Sequence, residues 1–316
     1  MKALLCSKGK VKLADVPMSI LGLDEVLIRV KLAGVCNTDN QILAGYRNLN
    51  GILGHEFVGI VESDPQGELT GKRVVGSITI ACGNCWHCRR DQTSHCLNRI
   101  TVGINDRDGV FAEYVTLPRQ NVHIVPDSLS DVEAVLTEPL AAGMRVAEQV
   151  HILPTNKVVI LGDGKMGLLT ALVLRAMGND ITVVGKHEDK LSIATGMGLK
   201  TAKVGETSGP VDVVVDCTGS VTGLDSAIKL VRAGGTIVLK TTIVDKYQID
   251  LSPIVVREIT LVGSRCGPFE PALALMERHN LDLSDLVEAV YPLDQGVEAL
   301  KHARRKGARK VLISIE

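Results

Sequence analysis

The chain has 316 residues, a length typical of about two domains, and 45% of its residues are hydrophobic while 22% are charged. Such a composition excludes an intrinsically disordered chain, because disorder requires low hydrophobicity and a large net charge. The 35 Lys and Arg residues nearly balance the 36 Asp and Glu residues, which gives a net charge of −1. We therefore expect neither nucleic acid nor an anionic membrane as a partner.

Membrane and export segments are not predicted either. No apolar run approaches the ~18 residues that a transmembrane helix needs. The opening stretch, residues 1–8, is too short for the apolar core of a signal peptide. We expect a cytoplasmic protein, in which thiols stay reduced.

The first ~130 residues contain short alternating apolar segments, such as 25–30 and 57–61. Gly, Pro, Asn and Asp interrupt them, which is typical of an irregular β domain. Four of the eight cysteines fall in one segment of this part, at about residues 81–97: Cys82, Cys85, Cys88 and Cys96.

This cysteine segment is not typical of a disulfide framework, because clustered thiols in a large chain without a secretion signal more often bind metal. Four thiolates at this spacing can enclose one tetrahedral Zn²⁺ and leave no position open for substrate. We therefore predict a structural zinc site, with His87 and His95 as bystanders. The alternative is a set of four reduced cysteines without metal.

From about Lys157 onward, apolar strands alternate with stretches of helical length, which predicts βαβ units and a parallel sheet. The predicted strands are 158–161, 181–184, 211–215, 236–239 and 259–262. Two further helices, 271–279 and 296–305, precede a last strand, 310–315, that we expect to return to the first domain. The basic segment from His302 to Lys310 is predicted to be a solvated face.

A glycine-rich turn, Gly162-Asp163-Gly164-Lys165-Met166-Gly167, stands between the first of these strands and a helical run, 168–177. Strand, glycines and helix in this order predict a dinucleotide site, with Gly162, Gly164, Lys165, Met166 and Gly167 at the pyrophosphate. The helix N-terminus there directs free N–H groups toward the phosphates. The alternative is an ordinary turn between a strand and a helix.

Several short motifs complete a recognisable order: Cys36-Asn37-Thr38-Asp39, Gly54-His55-Glu56, the segment 108–114, Thr137-Glu138-Pro139-Leu140 and the segment 215–219. Together with the cysteine segment and the glycine-rich turn, they resemble the zinc-dependent medium-chain alcohol dehydrogenases, over nearly the whole chain. The resemblance implies an α/β protein. Residues 1–140 and 266–316 would form a GroES-like β-barrel catalytic domain, and 141–265 a Rossmann domain with a doubly wound parallel sheet.

The same resemblance implies a second, catalytic zinc held by Cys36 and His55. A second cysteine is missing at the domain junction, so Glu56 and Glu138 are the candidates for the third ligand, as in sorbitol and threonine dehydrogenases. Glu56 could instead orient the site, and Glu138 could instead cap the following helix. Both alternatives stay open.

The family position of Thr38 implies a hydroxyl that passes on the proton of the alcohol, although a helix cap is the alternative. Gln41 stands where the family commonly has the histidine that completes this relay, so proton exit is expected to rely on water. The predicted reaction interconverts an alcohol with a ketone or aldehyde. Since only 3% of the residues are aromatic, a small alcohol, a polyol or a sugar is favoured as substrate.

The resemblance also implies a homo-oligomer, either a dimer or a tetramer. Two other functions are compatible with the motifs: a zinc-free quinone or enoyl reductase of the same fold, and a nucleotide-binding sensor or structural protein without catalysis. Cys36 and His55 argue against the first, and Thr38 argues against the second.

The choice of cofactor is predicted from the end of the second nucleotide-domain strand. NAD enzymes place Asp or Glu there to accept the ribose 2′-OH, whereas this strand runs into Gly185, Lys186 and His187. A cation there favours a 2′-phosphate, so NADP is predicted over NAD, although Glu188 and Asp189 follow closely. After the next strand, Cys217 and Thr218 are predicted to contact the cofactor as well.

Overall fold

A computed structural model describes residues 1–46, 49–207, 209–241, 243 and 247–315. The chain divides into two compact units, Met1–Glu138 with Met276–Glu316, and Pro139–Leu275. The sequence-based boundaries stood at residues 140 and 266. The observed boundaries fall inside two helices, Thr137–Gln149 and Phe269–His279, which explains why loop signals in the sequence did not mark them.

The strands are numbered in chain order over the described residues: β1 Lys2–Ser7, β2 Lys10–Asp15, β3 Glu25–Gly34, β4 Gly51–Ile52, β5 Glu56–Ser63, β6 Arg73–Gly76, β7 Thr79–Ile80, β8 Ile100–Val102, β9 Asp106–Arg107, β10 Tyr114–Pro118, β11 Val122–Ile124, β12 Lys157–Leu161, β13 Asp180–Gly185, β14 Lys200–Lys203, β15 Val211–Asp216, β16 Val231–Leu239, β17 Thr260–Gly263, β18 Val287–Pro292 and β19 Lys310–Ser314.

The α-helices of the same residues are α1 Asn37–Leu43, α2 Asp131–Ala134, α3 Thr137–Gln149, α4 Lys165–Ala176, α5 Glu188–Gly196, α6 Gly223–Leu230, α7 Ser252–Val256, α8 Phe269–His279 and α9 Gly296–Ala303. No helix within the described ranges combines the length and the apolar character needed to cross a membrane.

The first unit is built mainly of antiparallel strands. Its largest sheet has the order β11-β6-β5-β3-β19-β18, with β10 also paired to β3. Side chains alternate along β3, so that Val26, Ile28 and Val30 are fully buried in the core of this unit. Smaller sheets, β2-β1-β4 and β7-β8-β9, complete the strands of the unit.

Both chain ends contribute to that large sheet. The last strand, β19, pairs antiparallel with β3 through Leu312 and Gly34, and β5 pairs on the other side of β3 through Glu56 and Gly34. The prediction that the final strand returns to the first domain is confirmed. Gly34 therefore lies between a strand from the segment 1–138 and a strand from the segment 276–316.

The second unit contains one six-stranded parallel sheet with the order β14-β13-β12-β15-β16-β17. Counted from β12 as the first strand, this is the order 3-2-1-4-5-6 of a doubly wound dinucleotide-binding sheet. The predicted parallel sheet is confirmed, and each predicted strand overlaps an observed one. The strand order reverses between β12 and β15, where such sheets bind ligands at the carboxyl ends of the strands.

Candidate metal centre and cofactor-binding turn

Cys36 lies two residues after the end of β3, at the N-terminal cap of α1. The backbone N–H of Cys36 donates to Asp39 Oδ2 at 2.8 Å, which fixes the turn between strand and helix. The Cys36 thiol lies 3.6 Å from the Thr38 hydroxyl oxygen. The motif thus places the sulfur and the hydroxyl on the same side of the first helical turn.

His55 immediately precedes β5 and is buried, with 3% of its surface exposed. Its Nδ1 atom faces Asp39 Oδ1 at 3.3 Å, and the two groups form an ion pair when the ring is protonated. Burial lowers the pKa of His55, and the negative charges of Asp39 and Cys36 outweigh that effect and raise the pKa well above its usual value. These surroundings favour a positive charge on the His55 ring.

The ligand atoms of Cys36, His55 and Glu56 all lie within 4.8 Å of one another. A thiol, an imidazole and a carboxylate are the donors that Zn²⁺ takes in catalytic sites with an open fourth position. The Asp39 carboxylate, 3.3 Å from His55 Nδ1, supplies the kind of acceptor that a metal-binding histidine usually has on its other ring nitrogen. The residues present therefore fit a metal ion.

Glu138, the other candidate for the third ligand, does not belong to this group in the part of the chain that the structure describes. It lies in the first turn of α3, and its charge acts on Lys310.

Glu56 forms a buried ion pair with Lys310, the first residue of β19. Lys310 Nζ also lies 3.3 Å from the backbone oxygen of Val35, to which it donates. Burial lowers the pKa of Lys310, but the charges of Glu56 and Cys36 outweigh it and raise the pKa above its ordinary value. The lysine therefore stays charged beside the metal-ligand group.

The prediction of a solvated basic face at 302–310 is wrong at both of its ends. Lys310 is 3% exposed and His302 is 8% exposed. His302 Nδ1 lies 3.0 Å from the Tyr291 hydroxyl, and its Nε2 lies 3.0 Å from Glu288 Oε1. Strand β19 and helix α9 turn these two side chains inward, which a count of basic residues cannot reveal.

The four clustered cysteines also converge. The sulfur of Cys85 lies 3.4 Å from that of Cys88 and 3.9 Å from that of Cys96, and Cys82 Sγ lies 4.0 Å from Cys88 Sγ. Backbone N–H groups of Cys88 and Leu97 lower the pKa of Cys85 to about 6. None of the four cysteines forms a disulfide. Four thiols in this arrangement fit a closed tetrahedral zinc site.

Few apolar side chains support this cysteine segment. Trp86 is 56% exposed, and the Arg90 guanidinium carbon lies 4.1 Å from the centre of its ring. His87 Nδ1 lies 3.0 Å from Gln92 Oε1, so this histidine is engaged away from the sulfurs. A metal would supply the folding energy that the segment lacks.

The glycine-rich turn joins β12 to α4. Gly162 has φ +115°, and a side chain there would lie 2.7 Å from the backbone oxygen of Cys217. A side chain at Gly167 would overlap the backbone oxygen of Gly162, whereas one at Gly164 would meet no atom within 4 Å. Two glycines thus allow close packing, and the third leaves open space beside the helix N-terminus, as a pyrophosphate requires.

The predicted contacts on the neighbouring strand lie beside this turn. Cys217 follows β15, and its backbone N–H donates to Leu161 at 2.8 Å. Burial raises the pKa of the Cys217 thiol to about 12, so it stays protonated. Thr218 is held by Asp216, whose Oδ1 accepts from its N–H at 2.9 Å and from its hydroxyl at 2.8 Å.

The end of β13 differs from the sequence-based expectation, because a carboxylate does lie there. It belongs to Asp163 of the glycine-rich turn, whose Oδ2 accepts the N–H groups of Lys186 and His187, each at 2.8 Å. His187 Nδ1 lies 2.9 Å from the same oxygen. Lys186 itself is exposed.

Three charged residues of these sites were not among the predicted site residues: Asp39, Asp163 and Lys310. Asp39 had a signal in the sequence, since it stands three residues after the capping Cys36. Lys310 opens an otherwise apolar strand, which is a weaker signal. Asp163 stands at a variable position inside the glycine pattern, and nothing local indicates that it reaches the next strand.

Comparison with known families agrees with this geometry. Residues 22–127 match the family described as "Alcohol dehydrogenase GroES-like domain", and residues 166–278 match the family "Zinc-binding dehydrogenase". The predicted combination of a GroES-like domain and a Rossmann domain is thereby confirmed.

Individual relatives extend over the whole chain. A sorbitol dehydrogenase of Halalkalibacterium halodurans is 31% identical, and the alignment covers 99% of each chain. An L-threonine 3-dehydrogenase of Legionella pneumophila is 27% identical over 99% of this chain and all of the relative. A zinc-binding dehydrogenase structure from Sinorhizobium meliloti, bound to NADP, is 29% identical with a TM-score of 0.92, covering 99% of each chain.

Proposed function

Because the chain belongs to the zinc-dependent medium-chain alcohol dehydrogenases, we propose that it interconverts a polyol or another small secondary alcohol with its ketone. It is a zinc-dependent oxidoreductase of alcohols that uses a nicotinamide cofactor. The observation that carries the proposal is the convergence of Cys36, His55 and Glu56 within 4.8 Å. A zinc-free reductase of the same fold would have no need of this group.

Cys36, His55 and Glu56 would hold the catalytic zinc, with Glu138 as the other candidate for the third position. Asp39 orients this group through the backbone of Cys36 and faces the ring of His55. Lys310 holds the carboxylate of Glu56 and offsets part of the negative charge of the ligands. The chain thus supplies both the donors and the charge that balances them.

Zinc held by these residues would supply a Lewis acid for the alcohol oxygen, and a nicotinamide cofactor would supply the hydride acceptor. Thr38 lies close enough to the Cys36 thiol to meet a substrate at the same centre, and its hydroxyl would receive the alcohol proton. Gln41, on the same helix, has no titratable group to pass that proton on. Proton exit would therefore rely on water.

The second zinc would be structural and held by Cys82, Cys85, Cys88 and Cys96. The sulfur distances of 3.4–4.0 Å and the few apolar contacts of the segment support this assignment. With four thiolates as ligands, no coordination position remains for a substrate. We therefore propose two zinc ions per chain with different roles.

Some observations support a preference for NADP, and another supports a preference for NAD. Exposed Lys186 and the NADP bound to the relative from Sinorhizobium meliloti support the sequence-based prediction of NADP over NAD. The Asp163 carboxylate opposes it, because it occupies the two backbone N–H groups at the end of β13. The ratio of the dissociation constants of the two cofactors decides between them.

A homo-oligomer, either a dimer or a tetramer, remains part of the proposal. Exposed apolar side chains on α7 and β17 support it, since Val255 is 74%, Val256 80% and Leu261 38% exposed. Light scattering of the purified protein measures the assembly directly, and a monomeric mass would contradict it. We also expect the protein in the cytoplasm, which fractionation of cells would test.

The substrate proposal follows from the relatives, which are named for sorbitol and for L-threonine. Both compounds contain a secondary alcohol with polar neighbours. The test is a screen of sorbitol, xylitol, butane-2,3-diol, threonine and ethanol, each with NAD and with NADP, followed through the absorbance of the reduced cofactor. We expect polyols to be oxidised faster than ethanol, and His55→Ala to abolish the reaction. Activity that survives removal of all zinc would overturn the proposal.

A further inference from the structure

Asp163 is the second residue of the glycine-rich turn, but its side chain lies against the end of β13 and not over its own helix. It is 7% exposed. Burial raises the pKa of its carboxyl, while the N–H groups of His187 and Lys186 outweigh that effect and hold the pKa below its usual value. The side chain is therefore a buried carboxylate that carries its charge at neutral pH.

The position of this carboxylate is the one that dinucleotide-binding sheets use to distinguish cofactors. In NAD enzymes of this topology, an acidic side chain at the end of the second strand accepts the ribose 2′-OH. Here residue 185 ends that strand and has no side chain. A Cβ on Gly185 would lie 2.5 Å from both the Cβ and the Oδ2 atoms of Asp163. Asp163 thus fills the space that a side chain at residue 185 would take.

The same carboxylate accepts hydrogen bonds from the two backbone N–H groups that a 2′-phosphate would need. The N–H groups of Lys186 and His187 stand just before α5, where a 2′-phosphate could accept them. Both are already donated to Asp163 Oδ2 at 2.8 Å. A 2′-phosphate would therefore lose two donors and meet a like charge. Asp163 Oδ1, which lies 3.1 Å from His187 Nδ1, keeps acceptor capacity for a ribose hydroxyl.

On the basis of the nicotinamide function proposed above, we propose that Asp163 selects the cofactor by excluding the 2′-phosphate of NADP and favouring NAD. The carboxylate acts from the glycine-rich turn in place of an acidic residue on β13. Gly185 is required for this arrangement, because any side chain there would displace Asp163. The preference is the opposite of the one predicted from the sequence.

The test measures dissociation constants of NAD and NADP on the zinc-loaded enzyme by calorimetry, without turnover. In the wild type we expect NAD to bind about 10-fold more tightly or better. Asp163→Asn removes the charge and should lower this ratio by about 10-fold. Asp163→Gly also frees both N–H groups and should lower it further. Asp189→Asn, a matched loss of an exposed carboxylate on the first turn of α5, should leave the ratio unchanged.

An exchange variant guards against simple loss of folding. Asp163→Gly combined with Gly185→Asp moves the carboxylate to the strand end and removes the Cβ that would collide with it. We expect this double variant to regain the preference for NAD that Asp163→Gly loses. Tighter binding of NADP by the wild type, or equal ratios in Asp163→Asn and Asp189→Asn, would overturn the role of Asp163. A wild type that binds neither cofactor would reject the proposed function along with it.

Discussion

Glu56 and Lys310 form an ion pair in the interior of the first unit, although they stand 254 positions apart in the chain. Strand β3 lies between them, and Gly34 on that strand is paired with Glu56 on one side and with Leu312 on the other. A buried pair of this kind is costly to break, because the remaining partner keeps an uncompensated charge. Its contact with the metal-ligand group links stability to metal content.

Lys310→Met should destabilise the metal-free protein by about 3–5 kcal/mol, because the Glu56 carboxylate would lose its partner. In the zinc-loaded protein the loss should be smaller, since the metal supplies positive charge to the same carboxylate. Denaturant unfolding of both forms measures the two values. Lys200→Met is the control, because it removes an exposed ion pair with Asp180. Equal losses of unfolding free energy in both forms would show that Lys310 does not interact with the metal centre.

Gly34→Ala should weaken both the ion pair and catalysis. An added Cβ would overlap the Glu56 carboxylate and lie 3.4 Å from Lys310 Nζ, so the pair would have to shift. We expect a loss of about 1–3 kcal/mol in unfolding free energy. Gly196→Ala is the control, because a Cβ on that residue of α5 meets no atom within 4 Å. A Gly34 variant as stable and active as the Gly196 variant would contradict this packing.

Cys88→Ser should remove one zinc ion per chain and lower the melting temperature together, because a missing thiolate opens a closed site. Elemental analysis and a thermal melt provide the two measurements. Cys6→Ser changes a buried cysteine outside both groups and should retain all zinc. If the Cys88 variant also retains all its zinc, the segment is not a metal site.

Cys36→Ser and His55→Ala should abolish turnover while leaving the affinity for the cofactor nearly intact, since the glycine-rich turn belongs to the other unit. Turnover with the preferred alcohol and cofactor binding by fluorescence are measured on the same preparations. A variant that loses cofactor binding as severely as turnover would place these residues outside the role of metal ligands.

Thr38→Ala should lower turnover by about 10²–10⁴-fold, as expected for a group that transfers a proton, with zinc content unchanged. Thr38→Ser retains the hydroxyl and should recover most of the rate. If the alanine and serine variants are equally slow, the Thr38 hydroxyl does not transfer the proton. The rates are compared at saturating substrate.

Local sequence patterns were sufficient to predict much of the fold and of the candidate sites. The glycine-rich turn, the cysteine segment and the Cys36 and His55 motifs are short, and their geometry depends on neighbours in sequence. The strands of the parallel sheet were also predictable, because strands covered on both faces are continuous apolar runs. Domain boundaries were less predictable, since α3 and α8 pass through them without a loop.

The sequence by itself determined the residue types that can bind zinc and a dinucleotide, and the alternation of strands and helices that builds the second unit. Only the tertiary structure decided where three charges are placed: Lys310 inward against Glu56, Asp163 across to β13, and Asp39 against His55. The reason is physical. Whether a charged side chain is solvated or paired depends on which strands lie beside it, and those neighbours come from distant parts of the chain.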